Sequence, residues 1–335
     1  MERGWDRAHR FVDLPAGELE RLVGAALPGA RLCAARPLTS GLRNSNYRVD
    51  LVGTAPVLLR LYTADPEACG REAGVLAAMA GRGPAPRVLH SEGTADPQFA
   101  LLEWMDGDPL DVVLRDCDSN TANELARACG STLAAIHGIH FPTAGFLGPR
   151  MRVIRAMPAW DAAVLATLAG PVEERLGREL SNRVRSTVET NARALEPIWQ
   201  EAVLVHADYK PWNLLVGRAG GATAGDVTWL VTGIIDWEFA CAGCKLIDFA
   251  TFLRDDADRP PGFADAFAAA YVDAGGTLPA DWRRLTRLVD LLNLMQLLAW
   301  TDDRAAVELR RLVADTLTGL EPDPGRQGSR DGCRC

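Results

Sequence analysis

Val205-His206-Ala207-Asp208-Tyr209-Lys210-Pro211-Trp212-Asn213-Leu214-Leu215-Val216 sets an aspartate and, five positions later, an asparagine between two apolar runs. A phosphoryl-transfer loop needs that spacing. The carboxylate of Asp208 can accept a hydrogen bond from an attacking hydroxyl, while Asn213 presents a neutral amide oxygen to a metal ion. A second carboxylate at 213 would add negative charge that nucleotide phosphates already supply.

Downstream, Val231-Thr-Gly-Ile-Ile-Asp236-Trp-Glu238-Phe places an acidic residue directly after a β-branched run. Asp236 would emerge at a strand end, where a carboxylate can chelate Mg²⁺ that bridges nucleotide phosphates. A lone aspartate after a strand is ordinarily a turn or cap residue; its pairing with the Asp208 loop favours the metal reading.

Together, His206-x-Asp208-x-x-x-x-Asn213, Ile235-Asp236-Trp237 and Gly243-x-x-x-x-Asp248 resemble the signature of the aminoglycoside phosphotransferase and choline kinase family, over about residues 35 to 255. The resemblance implies an α+β, two-lobed protein-kinase-like fold with a β-rich N-lobe and a mainly helical C-lobe. It implies that Asp208 is the catalytic base, that Asn213 and Asp236 are metal ligands, and that His206 and Asp248 support the loop. Lys210 gives the Asp-x-Lys-Pro-x-Asn spacing of serine/threonine protein kinases. It is one of two lysines in the chain, so neutralising the transferring phosphoryl group is favoured over a solvated surface role.

The family places a lysine on the third strand, paired with a glutamate on the next helix; here Arg60 and Glu72 hold those places. A basic residue amid the apolar run Val57–Tyr62 needs a buried anionic partner, which separates this pair from an ordinary surface salt bridge. The loop Ser40 to Asn46, with Asn44 and Ser45, would cover the phosphates, although it lacks a G-x-G-x-x-G run and taken alone is a plain turn. Glu103 and Met105, in Phe99–Gly107, resemble the linker between lobes, whose backbone would face the adenine. Acidic residues that could pair with amines of an acceptor are Glu238, Asp255 and Asp256, joined by Trp300; a solvated acidic face is the competing reading.

Around these motifs, residues 16 to 27 have helical periodicity, and strand character follows at Arg31–Pro37, Tyr47–Val52, Pro56–Tyr62, Arg87–Ser91 and Gln98–Trp104. Between the third and fourth of these, Asp65 and Pro66 open a helix through Glu72 to Met79. Helices are expected at 120–138, 158–169, 171–197, 262–274 and 280–318, with short β pieces at 202–205, 214–216 and 227–235. The expected organisation is a nucleotide-binding lobe over 1–105, a catalytic and substrate-binding lobe over 106–320, and a Gly- and Pro-rich mobile tail over 321–335.

Composition excludes several classes. With 48% apolar and 24% charged residues in 335, the chain is an ordinary globular protein able to bury a core. Its net charge of −8 and lack of a basic patch argue against nucleic acid. Without an 18-residue apolar run or an export signal, a cytoplasmic location off the membrane is expected. The eight cysteines read as reduced thiols, and the Cys241-x-x-Cys244 pair as coincidental. The implied cofactors are ATP, with GTP as the alternative, and Mg²⁺. The implied partner is a small-molecule hydroxyl acceptor, for which a cationic antibiotic of the aminoglycoside type leads and a metabolic amino alcohol, homoserine-like compound or sugar comes second. A nucleotide-binding pseudokinase is the remaining alternative, and the oligomeric state is left open.

Overall fold

The computed structural model describes residues 10–39, 43–220 and 227–320. Ser40 and the tail from 321 onward lie outside the described residues. The chain forms two compact units, one built from the segment up to Met157 with Gln200–Pro279, the other from Pro158–Trp199 with the chain from Ala280 onward.

The first unit opens with helix α1 (Ala16–Ala26), whose Leu19, Leu22, Val23 and Ala26 recur at i, i+3, i+4 and i+7 and so share one face. That face packs on Tyr47, Val49, Val57, Leu59 and Leu61. These belong to an antiparallel sheet of β1 (Leu32–Leu38), β2 (Ser45–Leu51), β3 (Val57–Tyr62), β4 (Val88–Glu92) and β5 (Gln98–Glu103), ordered β1-β2-β3-β5-β4. Helix α2 (Ala68–Met79) crosses between β3 and β4 in sequence. The period of two in β3 sorts its side chains between two faces. Leu59 and Leu61 enter the α1 cluster, while Arg60 and Tyr62 turn to the opposite face and both bond Glu72 of α2.

The short β6 (Asp108–Pro109) leads into α3 (Leu110–Asp116) and α4 (Ser119–His137). Asp118 caps α4 by accepting the Thr121 N–H at 2.8 Å. Strands β7 (Gly145–Leu147) and β8 (Val153–Ala156) flank a single 3₁₀ turn at Pro149–Met151, in which Arg150 and Met151 take left-handed φ of 57° and 55°. That turn sits against the glycine face of α2: a Cβ on Gly74 would lie 2.9 Å from the Arg150 nitrogen, and one on Gly70 2.8 Å from Pro149 Cγ.

The second unit is helical, comprising α5 (Trp160–Leu168), α6 (Pro171–Trp199), α9 (Trp282–Trp300) and α10 (Asp303–Leu320). The run expected as one helix over 280–318 is two, because Asp302 caps a new helix by accepting the Ala305 N–H at 2.8 Å. Between α6 and α9 the chain contributes to the first unit β9 (Val203–Val205), β10 (Leu214–Gly220), β11 (Val227–Ile234), β12 (Cys241–Gly243), α7 (Leu246–Leu253) and α8 (Phe263–Asp273). Strands β11, β10 and β6 form one sheet, and β8, β7, β12 and β9 another. None of the described helices is long and apolar enough to cross a membrane.

Helix α4 approaches α8 so closely that a Cβ on Gly130 would lie 2.2 Å from the Phe267 carbonyl oxygen. By contrast, a Cβ on Gly24 in α1 would meet no atom within 4 Å. Gly130→Ala should therefore destabilise the protein by about 1–3 kcal/mol through overpacking. Gly24→Ala should stabilise it by about 0.5–1 kcal/mol through helix propensity. Chemical denaturation of the two variants checks the pair, and equal midpoints would contradict the close helix contact.

Candidate active site

The loop after β9 is held from beneath by one carboxylate. Asp248, fully buried in the first turn of α7, accepts the backbone N–H of His206 at 2.9 Å and that of Ala207 at 2.8 Å. Its Oδ2 also meets His137 Nε2 of α4 at 3.1 Å, and His137 Nδ1 lies 2.9 Å from the Tyr271 hydroxyl of α8. These bonds support Ala207 in a left-handed conformation, φ 63°, which a residue with a Cβ rarely adopts.

His206 carries the loop further. The Asp208 N–H donates to its Nδ1 at 3.2 Å, so Nε2 bears the proton and donates to the Ile235 carbonyl at 3.1 Å. Both ring nitrogens are thereby used in structure. The His206 ring also packs on Trp237, with centroids 4.5 Å apart.

Asp208 stands at the open end of this arrangement. Its Oδ1 is 2.6 Å from Lys210 Nζ and its Oδ2 accepts the Asn213 side-chain N–H at 2.8 Å. The same Asn213 nitrogen donates to the Asp208 carbonyl at 2.9 Å, which commits the amide nitrogen inward and turns the amide oxygen away from Asp208. The Ile235 N–H donates to the Asn213 carbonyl at 3.0 Å, tying the loop to the strand end that carries Asp236.

Asp236 takes φ 71° and ψ 60° just beyond β11. Burial raises its carboxyl pKa above the ordinary value, as do the neighbouring Glu72 and Asp208 carboxylates, against the opposing pull of Arg60. Arg60 Nη1 lies 2.7 and 2.9 Å from the two Glu72 oxygens and 3.0 Å from Asp236 Oδ1, while Arg60 Nε donates to Asn46 Oδ1 at 3.1 Å. Tyr62 adds a 2.5 Å bond to Glu72, and the Trp237 N–H donates to it at 3.2 Å. Arg60 is 3% exposed, so its charge is desolvated and paired within protein.

The remaining sequence candidates fall into two groups. Glu238 joins the site: burial, then Asp236, push its pKa up to about 8, and Arg43 Nε lies 3.7 Å away. Asp255 lines a cleft with Lys210. Ser45 does not join, because it is fully buried and its hydroxyl accepts the Val12 N–H at 2.8 Å. Asn44 is buried beside it on the approach to β2, and Glu103 pairs with Arg87 at 3.0 Å at the end of β5. Met105 comes next along the chain, with its Cβ close to Gly233 of β11. Trp300 belongs to the second compact unit. The Asp256 side chain, like Ser40, lies outside what is described.

Sequence reasoning missed Arg71 and the pair His137–Tyr271. Arg71 donates to the Glu238 carbonyl at 2.6 Å and to the Leu147 carbonyl at 3.3 Å, and pairs with Asp65 at 2.5 Å, so it fixes α2 to the turn after Asp236. Its adjacency to Glu72 is a signal in hindsight. His137 has no local signal, since its partners lie 111 and 134 positions away.

Among the described residues no group of three or more His, Cys, Asp or Glu could hold a metal ion by itself. The oxygens of Asp236 and Asn213 nonetheless suit Mg²⁺, which takes one or two protein oxygens and completes its shell with phosphates and water. The Glu72 and Asp208 charges, which push the Asp236 pKa up, also mark a place where a cation would be welcome. Cys241 and Cys244 are free and buried, with thiol pKa values pushed up to about 12, as inert core cysteines are.

Comparisons with known proteins agree with this architecture. The model of the phosphotransferase enzyme family matches residues 34–288. Among solved structures, the chain is similar to a thermostable mutant of aminoglycoside phosphotransferase APH(4)-Ia in a ternary complex with ADP and hygromycin B. That match has a TM-score of 0.63 and 16% identity, and covers 91% of this chain and 100% of the other. It is similar to the GDP and kanamycin complex of APH(2")-IIIa, with a TM-score of 0.60 and 15% identity over 90% of this chain and 97% of the other. A third is the macrolide 2'-phosphotransferase MphH from Brachybacterium faecium, with a TM-score of 0.59 and 18% identity over 91% and 99%. No curated protein sequence matches significantly. At these identities the structures show the fold, which is kinase-like, and the match over most of the sequence shows the rest: the chain belongs to the phosphotransferase enzyme family.

Proposed function

We propose that the chain transfers the γ-phosphoryl group of a nucleoside triphosphate to a hydroxyl of a small molecule, with Asp208 as the base. The observation that carries this reading is the 2.8 Å bond from Asn213 to Asp208, which aims the carboxylate while leaving the amide oxygen for another ligand. In the step itself, the acceptor hydroxyl gives its proton to the Asp208 carboxylate as its oxygen forms a bond to the γ-phosphorus. The bond from that phosphorus to the β-phosphate oxygen breaks, the nucleoside diphosphate leaves, and Asp208 passes its proton to solvent.

Lys210, 2.6 Å from Asp208, holds that carboxylate in place and can follow charge onto the transferring group. Asn213 and Asp236 would hold the magnesium ion, which when bound neutralises the phosphate oxygens. Arg60, with Glu72 and Asn46, would face the phosphates, and the backbone at Glu103 and Met105 the base, ATP being the first choice and GTP the alternative. The similar structures are of enzymes named for, or bound to, aminoglycosides and a macrolide, which makes an antibiotic one acceptor class. A metabolic hydroxyl compound is the second.

Two measurements test the assignment. Asp208→Ala should lower turnover, read as ADP release with a competent acceptor, by about a thousandfold or more, and leave nucleotide affinity within about threefold. Full activity in that variant would sink the mechanism. Arg60→Ala should destabilise the protein by about 3–5 kcal/mol, because it strands the Glu72 and Asp236 carboxylates. Arg60→Lys keeps the charge and should retain the fold and turnover to within about tenfold. An Arg60→Ala protein with unchanged melting temperature and nucleotide KM would remove the buried pairing from the argument.

A further inference from the structure

Three arginines from separate elements converge on the short turn 236–239. Arg60 of β3 meets Asp236 Oδ1 at 3.0 Å, and Arg71 of α2 donates to the Glu238 carbonyl at 2.6 Å. The third, Arg43, stands just before β2. Its Nε lies 3.7 Å from Glu238 Oε2, and its guanidinium carbon 5.0 Å from the centre of the Phe239 ring. The first two contacts fix the turn, and Arg43 uses the fixed turn as an anchor for its own segment.

That segment is an arm, 43–46, whose members are held by different neighbours. The Ser45 hydroxyl accepts the Val12 N–H at 2.8 Å. Arg60 Nε donates to Asn46 Oδ1 at 3.1 Å, across the β2–β3 register that sets the two residues opposite each other. The contacts therefore close a circuit: Arg43 to Glu238, along the chain to Asp236, across to Arg60, on to Asn46 and back along the arm. No member of such a circuit shifts alone.

Glu238 is only 4% exposed and lies two residues from Asp236. A buried carboxylate beside another needs a cation close by, and a guanidinium laid over an aromatic ring is already confined near it. Glu238 is thus spent on this contact rather than offered to an amine of an acceptor.

From this circuit we infer that Arg43 is a positioning residue for the nucleotide. Held to Glu238 and Phe239, it fixes the arm 43–46 and, through Asn46, the Arg60 guanidinium, where the triphosphate is received. The inference rests on the phosphotransferase reading and deepens it, by assigning Glu238 to the nucleotide side of the reaction.

The experiment is a double-mutant cycle on the full chain, with Mg²⁺-ATP as the probe and calorimetric titration as the readout. Arg43→Ala and Glu238→Gln should each raise the Kd for Mg²⁺-ATP about 5- to 10-fold, and the double variant should lose no more than about twofold beyond the weaker single one. Arg43→Lys should recover part of the loss. The melting temperature without nucleotide is measured alongside, because a pair that served stability alone would lower it and leave the Kd unchanged.

An unchanged Kd in either single variant overturns the inference, as do losses that simply multiply in the double variant. Tighter ATP binding in Glu238→Gln also overturns it, since that would mean an Arg43 released to touch the phosphates itself. A wild-type chain that does not bind Mg²⁺-ATP refutes both this inference and phosphoryl transfer. Otherwise the two fail separately. Additive losses with ADP release that still requires Asp208 remove the role of Arg43 alone, whereas coupled losses with ADP release that survives Asp208→Ala remove the base and leave that role standing.

Discussion

A single buried carboxylate organises the loop that carries Asp208 and Asn213. Asp248 has no access to water, and its two oxygens are occupied by two successive backbone N–H groups and an imidazole. In a medium of low polarizability such bonds are strong and an unmade one is expensive, so the loop has one conformation in which all of them exist together. That conformation includes a left-handed alanine, and the strain is tolerable because the carboxylate offsets it. Everything that Asp208 can reach is set by where this loop is fixed.

A second constraint joins the sheet to that loop. Arg60 sits where the pleat of β3 turns it away from the leucines around it, and it can remain there only because Glu72 and Asp236 meet it from different elements. Removing water from a guanidinium costs several kcal/mol, which only close and well-directed partners offset. The pairing therefore fixes α2, β3 and the turn after β11 with respect to one another. It also explains how arginine can stand where related kinases use lysine. Its fork reaches both carboxylates and an asparagine from one position, a set of contacts that a point charge on a flexible stem makes less rigidly.

The sequence revealed most where chemistry and local structure coincide. The Asp208–Asn213 spacing and the strand-then-aspartate pattern at 236 are short-range features, and residues alone place them on a loop and at a strand end. Arg60 was legible because a charge amid apolar neighbours demands a partner, although Asp236 as a further partner, 176 positions distant, was not. His137 lies within the helical run expected over 120–138, and only the packing of α4 on α8 makes it a bridge between Asp248 and Tyr271. Ser45 misled in the opposite sense. A serine in a polar loop suggests phosphate contact, but the strand period turns this one inward to the chain segment preceding α1. The split of the last helical run escaped notice because helical periodicity passes through a cap unchanged, and only Asp302 as an N-cap marks the break.

The glycine face of α2 has a mechanical meaning. In many kinases the helix carrying the strand-lysine's glutamate swings outward and back, and that travel is where regulation acts. Here Gly70 and Gly74 allow the turn at Pro149–Met151 to press directly on the helix backbone, while Arg71 pins the adjacent face to Leu147 and Glu238. A helix wedged on one side and bolted on the other has no low-energy second position. The glutamate that α2 carries to Arg60 is therefore held in place by the fold itself, without help from a ligand.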